Sequence, residues 1–165
     1  MRLALAALAA ALLVGCAQFR ELPRQDQLSL VVDVITLRVD RTTALVTKGV
    51  MTKAEGQKRL ELAVQAANAL QSAQSVIVAC EGAAGKCDLA KVRKELGGAA
   101  LDRLEEHLIK SGDLEQAEVI GAARIVYTLM QGSATPGTGE TYSNILAPLI
   151  ARFEASVGRL RAAVA

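Results

Sequence analysis

The sequence predicts an all-α protein: an antiparallel helical bundle of four to five helices that follows a cleaved signal peptide. Three observations carry this expectation. Apolar residues recur at alternating steps of three and four through successive segments, the spacing that lines one face of a helix. Glycines close these segments, and hydroxyl or carboxylate side chains of the kind that cap helices open them. The composition is rich in alanine and leucine, which suits close-packed helices, and no segment reads convincingly as a strand.

The chain opens with Met1-Arg2 and then runs from Leu3 to Val14 without a charge or a proline. Such a run is too short for a bilayer core, which needs about 20 residues. It fits the apolar region of a secretory signal, usually about 7–15 residues. The run closes in Leu13-Val14-Gly15-Cys16. These residues resemble the lipobox of bacterial lipoproteins: aliphatic, small or aliphatic, Gly or Ala, then Cys. The resemblance covers residues 1–16 and implies cleavage after Gly15, with Cys16 as the lipidated first residue of the mature chain. The Cys16 thiol would carry a diacylglyceryl group as a thioether. An ordinary cleaved signal with a chance Cys is the competing reading. Ala17 follows where lipoproteins held in the inner membrane commonly carry Asp, so the resemblance favours the outer membrane over the inner membrane.

Residues 16–25 read as a lipidated tether, with Pro23 and mixed charges. Nine residues beyond Cys16 reach at most about 30 Å when extended, so the folded part would sit near the membrane. Residues 26–165 are expected to form a single domain. A chain of that size buries roughly two-thirds of the surface that its unfolded form exposes.

The first element covers about 26–48. Leu28, Val32, Ile35, Val39, Thr42 and Val46 form a helical row. The segment is also rich in β-branched residues, and Leu28, Leu30, Val32 and Val34 alternate as in a strand. Helix is favoured because the row outlasts an ordinary strand, and Gly49 suits a helix end. A second row, Leu30, Val34, Leu37 and Ala44, gives this helix two apolar faces. Either the helix is central in the bundle, which is the favoured expectation, or it offers a surface to a partner or a second copy.

The second element opens at Thr52-Lys53-Ala54-Glu55, a capping-box pattern. Leu60, Val64, Ala67, Leu70, Ile77 and Cys80 follow on one face, and Gly82 closes it. The third starts at Asp88, a good N-cap. Its row of Leu89, Val92, Leu96, Ala100, Leu104 and Leu108 runs through Gly97-Gly98, as one helix with a weak point or as two pieces. Lys110-Ser111-Gly112 ends it. The fourth opens with Asp113-Leu114-Glu115-Gln116, presents Ala117, Ile120, Ala123, Tyr127 and Met130, and stops near Gly132. A loop from Ser133 to Gly139 precedes the last element, about Tyr142 to Ala163. Leu146, Leu149, Phe153, Val157 and Leu160 make its face, and Asn144 is the expected N-cap that keeps Pro148 in the first turns.

Beyond Cys16, two cysteines remain, Cys80 and Cys87. In an oxidising compartment a pair this close is expected to form a disulfide. The short loop it closes contributes about 2.5 kcal/mol in the chain-entropy model. Two free thiols and a metal site are the weaker alternatives. A structural zinc site needs four ligands, and the single His, His107, is distant in sequence.

The sequence offers no candidate catalytic residue, no cofactor-binding motif and no metal-ligand pattern. In Glu105-Glu106-His107, neighbouring helical positions point about 100° apart and do not converge, so a solvated surface is expected. Only 2% of residues are aromatic, which counts against stacking on sugars or bases. The formal net charge of +2 asks for no nucleic acid. The segment around Gly49-Val50-Met51-Thr52-Lys53-Ala54-Glu55-Gly56-Gln57 and its Ala-rich flanks is loosely similar to small helical proteins of prophages and proteobacteria that have no settled role.

The resulting expectation is a non-enzymatic envelope lipoprotein facing the periplasm. It would be anchored through acyl chains on Cys16, with a helical bundle acting as a structural or protein-interaction module. Its partner would be another envelope protein or a second copy. The alternatives are a phage-related envelope function in lysis or exclusion, and a bundle that binds lipid or a small hydrophobe, which needs an internal apolar cavity.

Overall fold

A computed structural model describes residues 22, 24–82, 106, 108–110, 112, 114–131 and 142–165. These residues form an all-α helical bundle. Its long helices are α1 (Arg24–Thr47), α2 (Lys53–Gly82), α3 (Leu114–Gln131) and α4 (Tyr142–Val164). Residues 106 and 108–110 are helical as well.

α1 is a helix despite its β-branched content. Leu28, Val32, Ile35, Val39, Thr42 and Val46 are all buried, as the spacing predicts. Its threonines fit because each hydroxyl bonds a carbonyl one turn back. Thr36 donates to Val32 at 2.6 Å, Thr42 to Arg38 at 3.0 Å, and Thr43 to Val39 at 3.0 Å. Gly49 ends the helix at φ 68°. The Gly49 amide donates to Val46 at 3.0 Å and the Val50 amide to Leu45 at 2.9 Å, the paired bonds of a Schellman cap. α2 opens on the expected capping box: the Glu55 amide donates to Thr52 Oγ1 at 3.2 Å, and the Thr52 amide donates to Glu55 Oε2 at 3.0 Å. α2 runs to Gly82. Gly112, at φ 80°, donates to Ile109 at 3.1 Å, so the chain turns where Lys110-Ser111-Gly112 predicts.

Contacts fix the helix directions. Asp33 pairs with Arg152 and Asp40 with Arg159, both across 119 residues, so α1 and α4 run parallel. Gly56, at the start of α2, meets Val46 and Val164, at the ends of α1 and α4. α2 therefore runs opposite to both. Arg38 pairs with Glu118 at 2.6 Å, and Gln116 shares a cleft with Thr42 and Arg59. α3 thus starts near the α1–α2 turn and runs alongside α2. Two helices run each way. α4 packs broadly on α1 and α2, and α3 packs on the same two helices.

The main core joins all four helices. Leu28, Ile35, Leu70, Leu146, Phe153 and Leu160 are among its fully buried members. Buried alanines of α2, including Ala63, Ala66 and Ala67, let the backbones approach. A satellite cluster of Leu62, Leu108, Ala117 and Ile120 seats residue 108 against α2 and α3.

Three expectations are corrected. Arg24 and Gln25, read as tether, are helical, and the Gln27 amide donates to the Leu22 carbonyl at 2.7 Å. The tether is shorter because this side chain fastens the approach to α1. Asn144 is not the N-cap of α4, since Tyr142 is already helical and Pro148 lies inside the helix. Thr141, an equally suitable capping type, precedes Tyr142 in sequence and competes for that role. Finally, the second apolar row of α1 is not buried. Leu30 and Val34 are each 48% exposed and Leu37 is 70% exposed. α3 and α4 pack on the other side of α1 and leave this row on the outside.

Candidate functional site

The outward face of α1 is the most distinctive surface of the described residues. Each helical residue advances about 100°, so Leu37 points opposite the buried Leu28, Ile35 and Val46. Leu30 and Val34 flank it, and Ala44 and Arg41 extend the exposed row toward Gly49.

Ion pairs border this row on both sides, in opposite order. Along the α4 edge the acids are on α1 and the bases on α4: Asp33 with Arg152, and Asp40 with Arg159 at 2.8 Å. Along the α3 edge the base is on α1 and the acid on α3: Arg38 with Glu118 at 2.6 Å. An apolar strip between polar rims has the anatomy of a protein-binding surface.

Asp40 is held further. Ser156, fully buried on α4, donates to Asp40 Oδ1 at 2.8 Å, and Arg159 donates to Ser156 Oγ at 2.7 Å. This triad locks α1 to α4. Sequence reading missed it because a lone Ser on an Ala-rich helix carries no pattern. Its spacing from Phe153 and Leu160, one turn to either side, was the available signal.

A cleft between α1, α2 and α3 is lined by Arg38, Thr42, Arg59, Leu62 and Gln116, among others. Its volume is about 20 Å³, room for one water. An acyl chain or a drug-sized ligand needs roughly 300 Å³ or more.

Of the residues singled out in the sequence, Gly15, Cys16, Cys87 and His107 lie outside the described residues. Cys80 lies in the last turns of α2, and its pairing with Cys87 also lies outside them. Glu106 pairs with Lys110 at 2.7 Å on the surface, the solvated arrangement expected there. Glu55 has its carboxyl held below the ordinary value, chiefly by the Thr52 hydroxyl and then by the Thr52 amide. That shift belongs to a helix cap. Among the described residues, no cluster of His, Cys, Asp and Glu is placed to hold a metal. No helix among them is long and apolar enough to cross a membrane. The chain matches no protein-family model, no curated protein and no solved structure.

Proposed function

We propose that this chain is an envelope lipoprotein, anchored through acyl chains on Cys16, whose helical bundle is a protein-interaction module. The exposed Leu30-Val34-Leu37 row of α1, rimmed by ion pairs, is the observation that carries the reading. Single exposed leucines are ordinary. Three large apolar residues on one row of one helix form a contiguous patch of the kind that marks interaction sites. The resemblance of Leu13-Val14-Gly15-Cys16 to a lipobox supplies the anchor. The short approach from Cys16 to α1 keeps this face near the membrane surface, where tethering raises the effective concentration of partners. Among the described residues, the cleft between α1, α2 and α3 is too small for an acyl chain.

Two measurements test it. Cys16→Ser expressed with labelled palmitate is expected to lose the label, and equal label in both chains would refute the anchor. Affinity capture from detergent-solubilised membranes, comparing the unaltered chain with Leu37→Asp, is expected to lose its specific partner band in the variant. Identical capture by both would refute the role of the α1 face.

A further inference from the structure

We infer that the occupant of the α1 face is a second copy of this chain, packed parallel about a two-fold axis running along α1. The inference deepens the interaction reading above, and its face is the same one.

Heptad register points to a pair of helices. Leu30, Leu37 and Ala44 recur every seven residues, with Val34 and Arg41 between them. That places leucine at d and β-branched Val34 at one a position, a combination that favours two strands over three or four when the helices run parallel. Asp33 and Asp40 then occupy g, and Arg38 occupies e. In a parallel pair g faces e of the other helix, so Asp33 would meet Arg38 of the second copy. Arg41, a polar residue at a, costs stability but fixes the register. Its guanidinium reaches toward Asp40 of the second copy, the neighbouring g position. Asp40 takes both its Ser156 and Arg159 bonds on Oδ1.

The rims decide between the two orientations. In a parallel two-fold pair, the α4 edge of one copy lies against the α3 edge of the other. On the first edge acid is inside and base outside; on the second the order is reversed. Acid therefore opposes base in both ranks, with Arg152 and Arg159 facing the side of Glu118. In an antiparallel pair like edges meet. Asp33 would then face Asp40 and Arg38 would face Arg38, arrangements that destabilise. The anchor agrees with the parallel choice, because two chains held at Cys16 in one leaflet present α1 in the same direction.

The test uses the full chain in native membranes with single substitutions Leu30→Cys, Leu37→Cys and Ala44→Cys, oxidised and read against the unsubstituted chain on non-reducing gels. Each variant is expected to yield a new dimer of identical copies. Cross-linking at Leu37→Cys alone would indicate an antiparallel crossing and overturn the inference. So would no new dimer at any position, or a product with another protein. Arg41→Glu, which would set a carboxylate against Asp40 of the second copy at the same a position, is expected to lower the dimer yield, and Arg41→Leu is expected to raise it. An unchanged yield in both overturns the assigned register. Far-UV circular dichroism of each purified variant confirms that the bundle still folds. Palmitate label measured on the same membranes reports on Cys16 separately. Dimers without label refute the anchor and keep the dimer; label without dimers refutes the dimer and keeps the anchor.

Discussion

Gly56 offers a direct test of how α1, α2 and α4 meet. It is buried near the start of α2. A Cβ there would fall 2.6 Å from Val46 Cγ2 and 2.8 Å from Val164 Cγ1. Two effects of Gly56→Ala oppose each other. Replacing a helical glycine gains up to roughly 0.5–1 kcal/mol through backbone entropy. Forcing a methyl into a filled space costs about 1–3 kcal/mol. Val46 cannot swing aside, because a β-branched residue in a helix has one good rotamer and its side chain is buried. Val164, in the last turn of α4, yields more readily. The expected net effect is a loss of about 1 kcal/mol, or roughly 3 °C in melting temperature. Gly158 supplies the control, since a Cβ there meets nothing within 4 Å. Gly158→Ala should therefore gain about 0.5–1 kcal/mol. The entropy gain is common to both variants, so their difference of about 2 kcal/mol isolates the steric term. Thermal and urea unfolding by circular dichroism measure both. Equal stabilisation by the two substitutions would refute the close approach of the three helices.

Three further outcomes are expected. Ser156→Ala removes hydrogen bonds to Asp40 and Arg159 and should cost about 1 kcal/mol in urea unfolding; no loss would mean that the triad does not hold α1 to α4. The Glu55 carboxyl is held below its ordinary value of 4.5 by Thr52, so its contribution is full above that value and fades as pH falls through the lowered one. An NMR titration of Glu55 should therefore find a midpoint below 4.5, returning toward 4.5 in Thr52→Ala, and an unshifted midpoint would refute the capping account. Thiol-reactive reagent applied before and after reduction should label two more thiols after reduction, from Cys80 and Cys87, and equal labelling would refute their disulfide.

Much of the fold was legible because its signals are local. The α1 row from Leu28 to Val46 is buried as its spacing requires, and the Thr52–Glu55 box and the Gly49 stop act within a few residues of themselves. Features that depend on distant partners were not legible. The Leu28–Val46 row marks the side on which α3 and α4 pack, but whether a further element also covers the second row depends on distant parts of the chain and is not recorded in α1. The Asp40–Ser156–Arg159 triad spans 116 residues between Asp40 and Ser156 and has no sequence signature. The start of α4 shows a different limit: Thr141 and Asn144 are both suitable caps by type, so local chemistry offers two starts and Tyr142 is already helical.

The choice of inner face on α1 also bears on function. The helix buries Thr36 and Thr42 while Leu30, Val34 and Leu37 stay in water. Leu30 and Val34 are already half covered, so leaving them there forgoes about 1–1.5 kcal/mol each, and the more exposed Leu37 forgoes about 1–2 kcal/mol. The buried threonines recover little beyond satisfying their own hydroxyls on Val32 and Arg38. Turning the leucines inward would expose Leu28, Val32, Ile35, Val39 and Val46 on the opposite face, so burial of the larger apolar row sets the orientation and leaves the smaller row outside. Ion pairs on both rims and the buried Ser156 hold the same orientation. Exposed ion pairs contribute little stability, so on α1 their part is local. They hold charged side chains along both edges of the leucine row, the polar rim a docking face requires.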